Sequence, residues 1–561
     1  MRPRGIAGSD VGRGPHGGAP AASLVAPGSV FAPLRGRVFR WLWIGLLAGS
    51  VGSLAQTVGA QWLFIDDPDA ATIVSLVAAA NALPMMLFAL PAGALSDAFD
   101  RRYLLIGVQV YAITVSLLLA VLSWFGLVPP LLLLLFTFAI GLIGAVQLPA
   151  WQPLMTELVP REQFAAATRL DMVNVNGARA LGPALAGVVI ASLGVPAVFV
   201  MNAVCALALL VVLLAWRRPR MTFPARERFL PAVAAGARYV RHEPVVRLIL
   251  TRLAVFVVPA TALWALLPLI ASRQLGLGSA GYGVMFGALG VGAILGALLL
   301  GRIRRWLSAH SLLTVASVTY GVAFGALAFV PDAVAGVPVL VVAGACWTAV
   351  AATLNAELQL FLPGWVRARA IAIYLMTFTG AQALASPLWG VLTQVTSLRL
   401  AIGVAAALVV GGGLAGLLLR IPDSSHLDRT PADFWDEAAV VLEPGRDAGP
   451  VRVSVSYQVP DEALAGWQEA MAAMRRSRQR SGASRWELYR VGEQPGIYVE
   501  HFTVPSWAEH QRQHAGRLTV EDRSIEEHAQ SFITQPATTV HLLPVEPRPS
   551  MQQGEPHVQR P

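Results

Sequence analysis

Long apolar runs, separated by short polar connections, fill the chain between residues 39 and 420. The hydrocarbon core of a bilayer is about 30 Å thick, and a helix needs about 20 apolar residues to cross it. Twelve runs meet this requirement, so the pattern predicts twelve transmembrane helices. They cover residues 39–64, 72–96, 102–125, 129–151, 168–193, 196–216, 246–270, 280–302, 310–330, 335–359, 367–395 and 398–420.

The apolar part of the chain contains an internal repeat. A shift of 203 residues aligns Gly177 with Gly380, together with several Ala, Leu and Gly neighbours. Chance similarity between alanine-rich helices is the alternative, but the shared Gly, Pro and Leu positions favour two six-helix halves around a central cavity. We expect an N-terminal half over 38–216, a cytoplasmic central loop over 217–245 and a C-terminal half over 246–420.

The end of the chain has the pattern of a small soluble domain. Strand-like alternation and helical spacing follow one another in the order βαββαβ, which is that of a ferredoxin-like fold. Ser506 and Glu509 predict a capping box at the start of its second helix. We place this α+β domain at 450–543, after a linker at 421–449, and expect disordered tails at 1–37, on the cytoplasmic side, and 544–561.

Composition and charge agree with an integral membrane protein. Of the 561 residues, 55% are hydrophobic and 13% are charged, whereas soluble domains have about 25% charged residues. The 42 basic residues outnumber 33 acidic ones, yet none is lysine, and the arginines cluster at one set of helix ends. This pattern predicts a multi-pass protein of the inner (plasma) membrane with both termini in the cytoplasm and no nucleic-acid partner.

The loop between the second and third predicted helices carries a recognisable motif. Its members are Gly93, Leu95, Asp97, Arg101 and Arg102. They resemble the loop between helices two and three of the major facilitator superfamily, with departures at Ala98 and Asp100. The resemblance implies a gating role, in which Asp97 contacts the start of helix eleven and stabilises the outward-open state.

A second motif lies in the fifth predicted helix, where Gly182 and Pro183 are followed by Gly187. It resembles the helix-five motif of exporters in the same superfamily. Proline removes a helical hydrogen bond and glycine allows close packing, so these residues suit a bending hinge. An ordinary packing kink is the alternative.

The domain order narrows the resemblance further. The C-terminal domain resembles antibiotic-biosynthesis monooxygenases, and a facilitator fused to such a domain is similar to the transmembrane secretion effector group. The most specific stretches are 152–187 and 506–514. Enterobactin exporters and macrolide efflux proteins belong to this broad group. The resemblance implies a secondary active exporter of small amphipathic or anionic molecules, such as siderophores or drugs, that works by alternating access and is coupled to protons.

Arg179 is the most unusual charge, because it lies near the middle of the fifth predicted helix. Arginine at that depth is costly, so it should face the bundle interior, either as an anion-attracting site or paired with Glu157 or Asp171. Other polar residues are candidates for the cavity, although interhelical hydrogen bonding is the alternative for each. They are Gln56, Asn81, Gln147, Gln152, Asn176 and Gln382.

Acidic residues are absent from the middle of the predicted helices. If protons drive transport, the candidates are Asp97, Asp171 and Glu357, all near cytoplasmic helix ends. A helix-end salt bridge is the alternative for each.

The soluble domain offers weaker chemical signals. His510 and His514 share a helical face, but without an evident third ligand we expect no metal site, and nothing indicates a cofactor. A different class of function remains open, namely a membrane-tethered, cofactor-free monooxygenase or a ligand-sensing module, with Trp486, Trp507 and His501 around a pocket. A homodimer formed through this domain is also possible.

Overall fold

The computed structural model describes residues 31–216, 229–422, 428–432, 434–435, 440–441 and 444–544. Almost all of the two predicted tails and parts of the predicted linker lie outside these ranges. A short 3₁₀ turn at Ala32–Arg35 leads into the first helix.

Twelve helices in the described residues are long and apolar enough to cross a membrane, which confirms the predicted all-α membrane fold. They form two groups of six, α1 to α6 and α8 to α13. The first group is α1 (Arg37–Trp62), α2 (Ala70–Ala98), α3 (Arg101–Trp124), α4 (Pro130–Leu158), α5 (Phe164–Leu193) and α6 (Val195–Ala215). The second is α8 (Pro244–Leu269), α9 (Ser279–Ile303), α10 (Ala309–Ala326), α11 (Ala333–Phe361), α12 (Gly364–Val395) and α13 (Leu398–Ala415).

The helices differ from the sequence prediction mainly at their ends. α4 continues seven residues past the predicted end at 151, and α5 starts at Phe164 instead of 168. Part of the predicted central loop is helical, because α7 covers Phe229–His242. Residues 217–228 of that loop lie outside the described ranges.

Small residues allow several helices to approach each other closely. A Cβ atom added to Gly344 of α11 would lie 3.1 Å from Cα of Leu289 on α9 and closer still to its carbonyl group. The same helices meet again at Gly296, where an added Cβ would lie 2.6 Å from the carbonyl oxygen of Ala345. Within a bilayer, such van der Waals contact replaces the hydrophobic effect as the main attraction between helices.

The C-terminal domain has the predicted βαββαβ order. Its strands form one antiparallel sheet in the order β2-β3-β1-β4, and α14 connects the first two. The elements are β1 (Val451–Gln458), α14 (Leu464–Ser481), β2 (Arg485–Arg490), β3 (Ile497–Val504), α15 (Trp507–Arg512), α16 (Val520–Gln530) and β4 (Thr538–Leu542).

The second helical segment of this domain is broken, which the sequence pattern did not predict. A π-helical turn at Gln513–Arg517 follows α15, and Gly516 then adopts a left-handed conformation with φ of +86°. The complete capping box belongs to Thr519 and Asp522 at the start of α16. Ser506 does cap α15 by accepting a hydrogen bond from the backbone N–H of Glu509.

The close contact of α9 with α11 makes a testable prediction. Replacing Gly344 by Leu should lower the thermal stability of the detergent-solubilised protein, because overpacking typically costs about 1–3 kcal/mol. Gly403 of α13 is the matched control, since an added Cβ there meets no atom within 4 Å. Equal unfolding temperatures for Gly344→Leu and Gly403→Leu would contradict this packing.

Candidate functional site

Arg179 lies at the middle of α5, a helix of 30 residues. The backbone around it packs against α9, where a Cβ added to Gly290 would lie 2.7 Å from Cα of Ala180. The Arg179 side chain is half-buried and makes no hydrogen bond or ion pair among the residues that the structure describes. The acids considered as its partners, Glu157 and Asp171, contact Arg101 and Trp151 instead, so its positive charge has no partner in this part of the chain.

Three of the polar cavity candidates, Gln56, Asn81 and Gln147, form hydrogen bonds between helices. The side chains of Gln56, Ser116 and Asn202 are hydrogen-bonded to one another, which joins α1 to α3 and α6. In the same half, Asn81 donates to Oγ1 of Thr57 at 2.8 Å. Gln147 likewise accepts a hydrogen bond of 3.0 Å, from Nε2 of Gln109. These contacts correspond to the interhelical alternative for Gln56, Asn81 and Gln147.

The other three polar candidates make no side-chain hydrogen bond to another helix within the described ranges. Gln152 of α4 is exposed, and Gln382 of α12 is half-buried. Asn176 donates only to the carbonyl oxygen of Met172 in its own helix, at 2.9 Å. With Arg179, these side chains are the polar candidates that have no partner on another helix within the described ranges.

Two matching ion pairs lie where one set of helix ends meets the loops. Arg101, at the start of α3, contacts Glu157 near the end of α4 at 2.6 Å. In the second half, Arg304 follows α9 and contacts Glu357 near the end of α11, also at 2.6 Å. We call this end of the bundle the basic end, defined by Arg101, Arg102 and Arg304. Each half therefore has an ionic contact at an equivalent place.

The remaining motif residues also lie at the basic end. Arg102 donates to the carbonyl oxygens of Leu213 and Leu214 at the end of α6, at 2.9 and 3.1 Å. Gly93 lies in the last turns of α2, where an added Cβ meets no atom within 4 Å. The side chain of Asp97 is outside the described part, so its predicted contact with helix eleven stays a prediction.

The proton-coupling candidates that are described both have partners. Glu357 is paired with Arg304, which corresponds to the salt-bridge alternative. Asp171 accepts a hydrogen bond of 3.0 Å from Nε1 of Trp151 and is only half-buried. Asp171 is thus a partly exposed carboxylate near the basic end of α5.

Contacts between the two halves cluster at the opposite end of the bundle. Tyr282 of α9 donates to Oε1 of Gln61 at 2.6 Å, and its ring stacks on Trp62. Arg273 donates to the carbonyl oxygen of Asp67 at 3.0 Å, while Gln394 reaches Asp69 at 3.1 Å. These contacts close the end opposite the basic end.

The proposed hinge residues of α5 pack closely against neighbouring helices. An added Cβ at Gly187 would lie 2.5 Å from the carbonyl oxygen of Ser279, and one at Gly283 would lie 2.6 Å from that of Pro183. Gly182 faces α1 instead, where an added Cβ would lie 3.0 Å from the carbonyl oxygen of Val51. All three hinge candidates therefore lie in tight helix contacts, and hinge motion stays a prediction.

The C-terminal domain is docked at the basic end on the second half through buried charges. Arg480 of α14 contacts Glu243, which follows α7, at 2.9 Å, and also Asp522 at 2.7 Å. Arg480, Glu243 and Asp522 are all buried. Buried charges are costly unless they are paired, so these pairs fix the orientation of the domain.

A second ionic group extends the docking interface. Glu509 of α15 contacts Arg238 of α7 at 3.2 Å and Arg517 at 2.7 Å. Burial alone would raise the pKa of Glu509, but hydrogen bonds and positive charge from Arg517 and Arg238 lower it below its ordinary value. Arg517 also lies over the ring of Trp365 at the start of α12, with its carbonyl oxygen accepting from Nε1 of Trp365 at 3.2 Å. Sequence reasoning missed this interface, because single arginines and glutamates in loops carry no spacing signal.

The C-terminal domain encloses a cavity of about 490 Å³ between its sheet and helices. Its wall is partly apolar and aromatic and partly charged. The residues that define it include Trp435, Val453, Arg478, Phe502, Glu526 and His541. Of the expected pocket residues, His501 instead contacts Ser454 and Trp486 donates to Glu500. His501 points to the opposite face of the sheet from its neighbour Phe502, because successive strand residues alternate.

Three histidines meet at the edge of this cavity. Nε2 of His510 lies 3.3 Å from Nε2 of His514 and 2.9 Å from Nε2 of His541. Burial lowers the pKa of His510 to about 4, helped by His514, His541 and Arg478, so this imidazole is neutral at neutral pH. His541 thus supplies a third imidazole that was not evident from the sequence around His510 and His514. His541 lies on a strand that folds back beside the helix, a proximity that spacing along the chain does not reveal.

The described residues hold twelve membrane-spanning helices in two halves of six, an arrangement typical of membrane transporters of the major facilitator type. A family model described as transmembrane secretion effector matches residues 28–549, so the chain belongs to this family.

Individual proteins support the same class. The chain is 26% identical to a staphyloferrin A transporter of Staphylococcus aureus over 156 residues, which cover 28% of this chain and 39% of that protein. It is 27% identical to the multidrug efflux pump Tap of Mycolicibacterium fortuitum, over 60% of this chain and 85% of that one. A bacterial homologue of the human lysosomal transporter Spinster, in an inward-facing and occupied conformation, superimposes with a TM-score of 0.56 at 14% identity. That superposition covers 69% of this chain and 97% of the other.

The docking interface makes a testable prediction. Replacing Glu243 by Gln should weaken docking by about 1.5–3 kcal/mol, because a charge-assisted hydrogen bond to Arg480 is lost. Limited trypsin digestion should then cut faster at Arg446, which is exposed in the linker.

The matched control is Glu487→Gln, which changes an acid on β2 that pairs with the largely exposed Arg485. Equal cleavage rates in the two variants would show that Glu243 does not hold the domain in place.

Proposed function

We propose that this transporter exports small amphipathic or anionic molecules, such as a siderophore or a drug. The known activities of the two relatives, staphyloferrin A transport and multidrug efflux, support these cargo classes. The match to the staphyloferrin transporter spans less than two thirds of that protein. The cargo named for that relative is therefore a proposal for this chain.

The observation that carries the proposal is Arg179 at the centre of α5, which has no hydrogen-bond or ion-pair partner among the described residues. A charged side chain at that depth is expected to face the bundle interior or a water-filled cavity. A carboxylate or phenolate of a cargo molecule is the natural counter-charge, and guanidinium binds carboxylate with two parallel hydrogen bonds. Gln152, Asn176 and Gln382 add neutral polar groups for the rest of the molecule.

The distribution of contacts supports alternating access. The halves are joined at the end opposite the basic end by hydrogen bonds and by small residues such as Gly187 and Gly283. Rocking of the halves would separate these contacts and open that end to release cargo. The Asp97 loop and the bend at Pro183 are proposed to guide this motion.

The positive-inside rule sets the proposed orientation. The basic end, with Arg101, Arg102 and Arg304, faces the cytoplasm, and Asp66, Asp67 and Asp69 face outward. Both termini and the C-terminal domain then lie in the cytoplasm, in a plasma membrane. This domain is proposed to sense ligand or to pair with a second copy, not to catalyse a reaction.

Protons are the proposed energy source. Asp171 is the best-placed acid that the structure describes, because its carboxylate is half-buried and held by one neutral donor, Trp151. Asp97 and Glu357 are the other candidates.

The cargo site is tested by efflux from cells that express wild type, Arg179→Gln or Arg169→Gln. Arg169 is the matched control, since it is an exposed arginine on the same helix. Loss of a charge-assisted contact of about 1.5–3 kcal/mol should raise the apparent KM for anionic cargo roughly tenfold to a hundredfold in Arg179→Gln. Arg169→Gln should transport like wild type.

The panel for this measurement contains carboxylate and catecholate siderophores, macrolides and cationic dyes. Selective loss of the anionic compounds supports the site, whereas equal loss of all compounds points to a structural role for Arg179.

Proton coupling is tested separately. Efflux by wild type should stop when a protonophore collapses the proton gradient, and Asp171→Asn should lose this gradient dependence because an amide carries no titratable proton. The conservative variant Asp171→Glu should restore it. Efflux that continues undiminished with the protonophore would contradict coupling to protons.

A further inference from the structure

The three histidines of the C-terminal domain come from three different segments. His510 belongs to α15, His514 to the π-helical turn and His541 to β4. One ring nitrogen from each lies within 4.8 Å of the others. Folding thus brings together three imidazoles that are separated by up to 31 residues along the chain.

We propose that His510, His514 and His541 bind a divalent transition-metal ion. Imidazole nitrogens bind zinc at about 2.0–2.1 Å, so two ligands of a tetrahedral ion lie about 3.3 Å apart. The separation of 3.3 Å between His510 and His514 fits this value, and that of 2.9 Å between His510 and His541 requires a shift of only a few tenths of an ångström.

The surroundings of His510 set the tautomer that a metal ligand needs. Nδ1 of His510 lies 3.1 Å from Oε1 of Gln513, and this amide also donates through Nε2 to Oγ of Ser481 at 3.2 Å. Since the hydroxyl of Ser481 donates onward to the carbonyl oxygen of Arg478, it accepts from Gln513. The amide oxygen then faces His510, accepts the proton on Nδ1 and leaves the lone pair of Nε2 free for a metal.

The site is not closed by a fourth protein ligand among the described residues. Its open side faces the cavity of about 490 Å³, whose wall combines Trp435 and Phe502 with Arg478. Three protein ligands with an open position are typical of sites that exchange water or a small ligand, whereas structural zinc sites have four. A small molecule with an oxygen or nitrogen donor could therefore complete the coordination.

A metal ion at this site would stabilise the docking of the C-terminal domain on the membrane helices. Glu509, which pairs with Arg238 of α7, is the immediate neighbour of His510 on α15. A metal ion that fixes α15 would also fix the side of the domain that faces the transporter. The site is independent of the proposed export cargo.

The test uses the full-length protein, purified without a polyhistidine tag, stripped with a chelator and titrated with Zn²⁺. Wild type should bind one ion per chain, and His541→Ala should bind at least tenfold more weakly. Gln513→Ala should weaken binding about tenfold to a hundredfold through the loss of its contact with His510. The control His528→Ala changes an exposed histidine of the same domain and should bind like wild type.

A second measurement does not depend on variants. Bound Zn²⁺ should protect the half-buried His514 and His541 of the wild type from diethyl pyrocarbonate, and Co²⁺ should give the intense visible absorption of a tetrahedral site. Failure of wild type to bind Zn²⁺, equal binding by His541→Ala, or modification that Zn²⁺ does not change would overturn the proposal. The three rings would then be joined by hydrogen bonds alone.

Discussion

The cost of a charge inside hydrocarbon is the constraint on which this structure depends. A central arginine costs about 2.5–3.5 kcal/mol on insertion scales, so it persists only where the bundle offers water or a partner. Glu157 and Glu357 are already paired with arginines, and Asp171 is held by Trp151. Arg179 therefore remains a positive charge without a partner among the described residues.

The two kinds of interface in the molecule have different physics. The halves of the transporter meet through glycines and a few hydrogen bonds, and no hydrophobic effect holds helices together inside a bilayer. Such contacts can separate and re-form during transport. The C-terminal domain is instead held by buried ion pairs to Glu243 and Arg238 and by Arg517 over Trp365, which belong to the C-terminal half or lead into it. We infer that the domain moves with that half as one body.

Local patterns predicted the helices and strands well. The twelve membrane helices follow from the length of the apolar runs, which the thickness of the bilayer sets. The βαββαβ order follows from the periods of strands and helices, which do not depend on distant contacts. The break at Gly516 was missed because it depends on one left-handed residue inside an otherwise helical pattern. Helix α7 was missed because it follows an arginine-rich stretch at 217–228 and, with 14 residues, is too short to cross a bilayer.

The site was harder to predict, because its properties arise from contacts between segments. The depth of Arg179 along a single helix could be seen in the sequence, but its lack of a partner among the residues of the structure that are described could not. Gln56 and Gln147 are polar residues in apolar runs, which suggested a cavity, yet each accepts a hydrogen bond from a side chain on another helix. His541 joins His510 only because β4 pairs with β1 in the folded sheet.

Everted membrane vesicles give the most direct test of the central claim that this chain exports small anionic or amphipathic molecules. An imposed proton gradient should drive uptake of at least one labelled carboxylate siderophore or macrolide into vesicles that contain the protein, above the level in vesicles that lack it. Equal uptake in both kinds of vesicle for every compound of either class would contradict the claim.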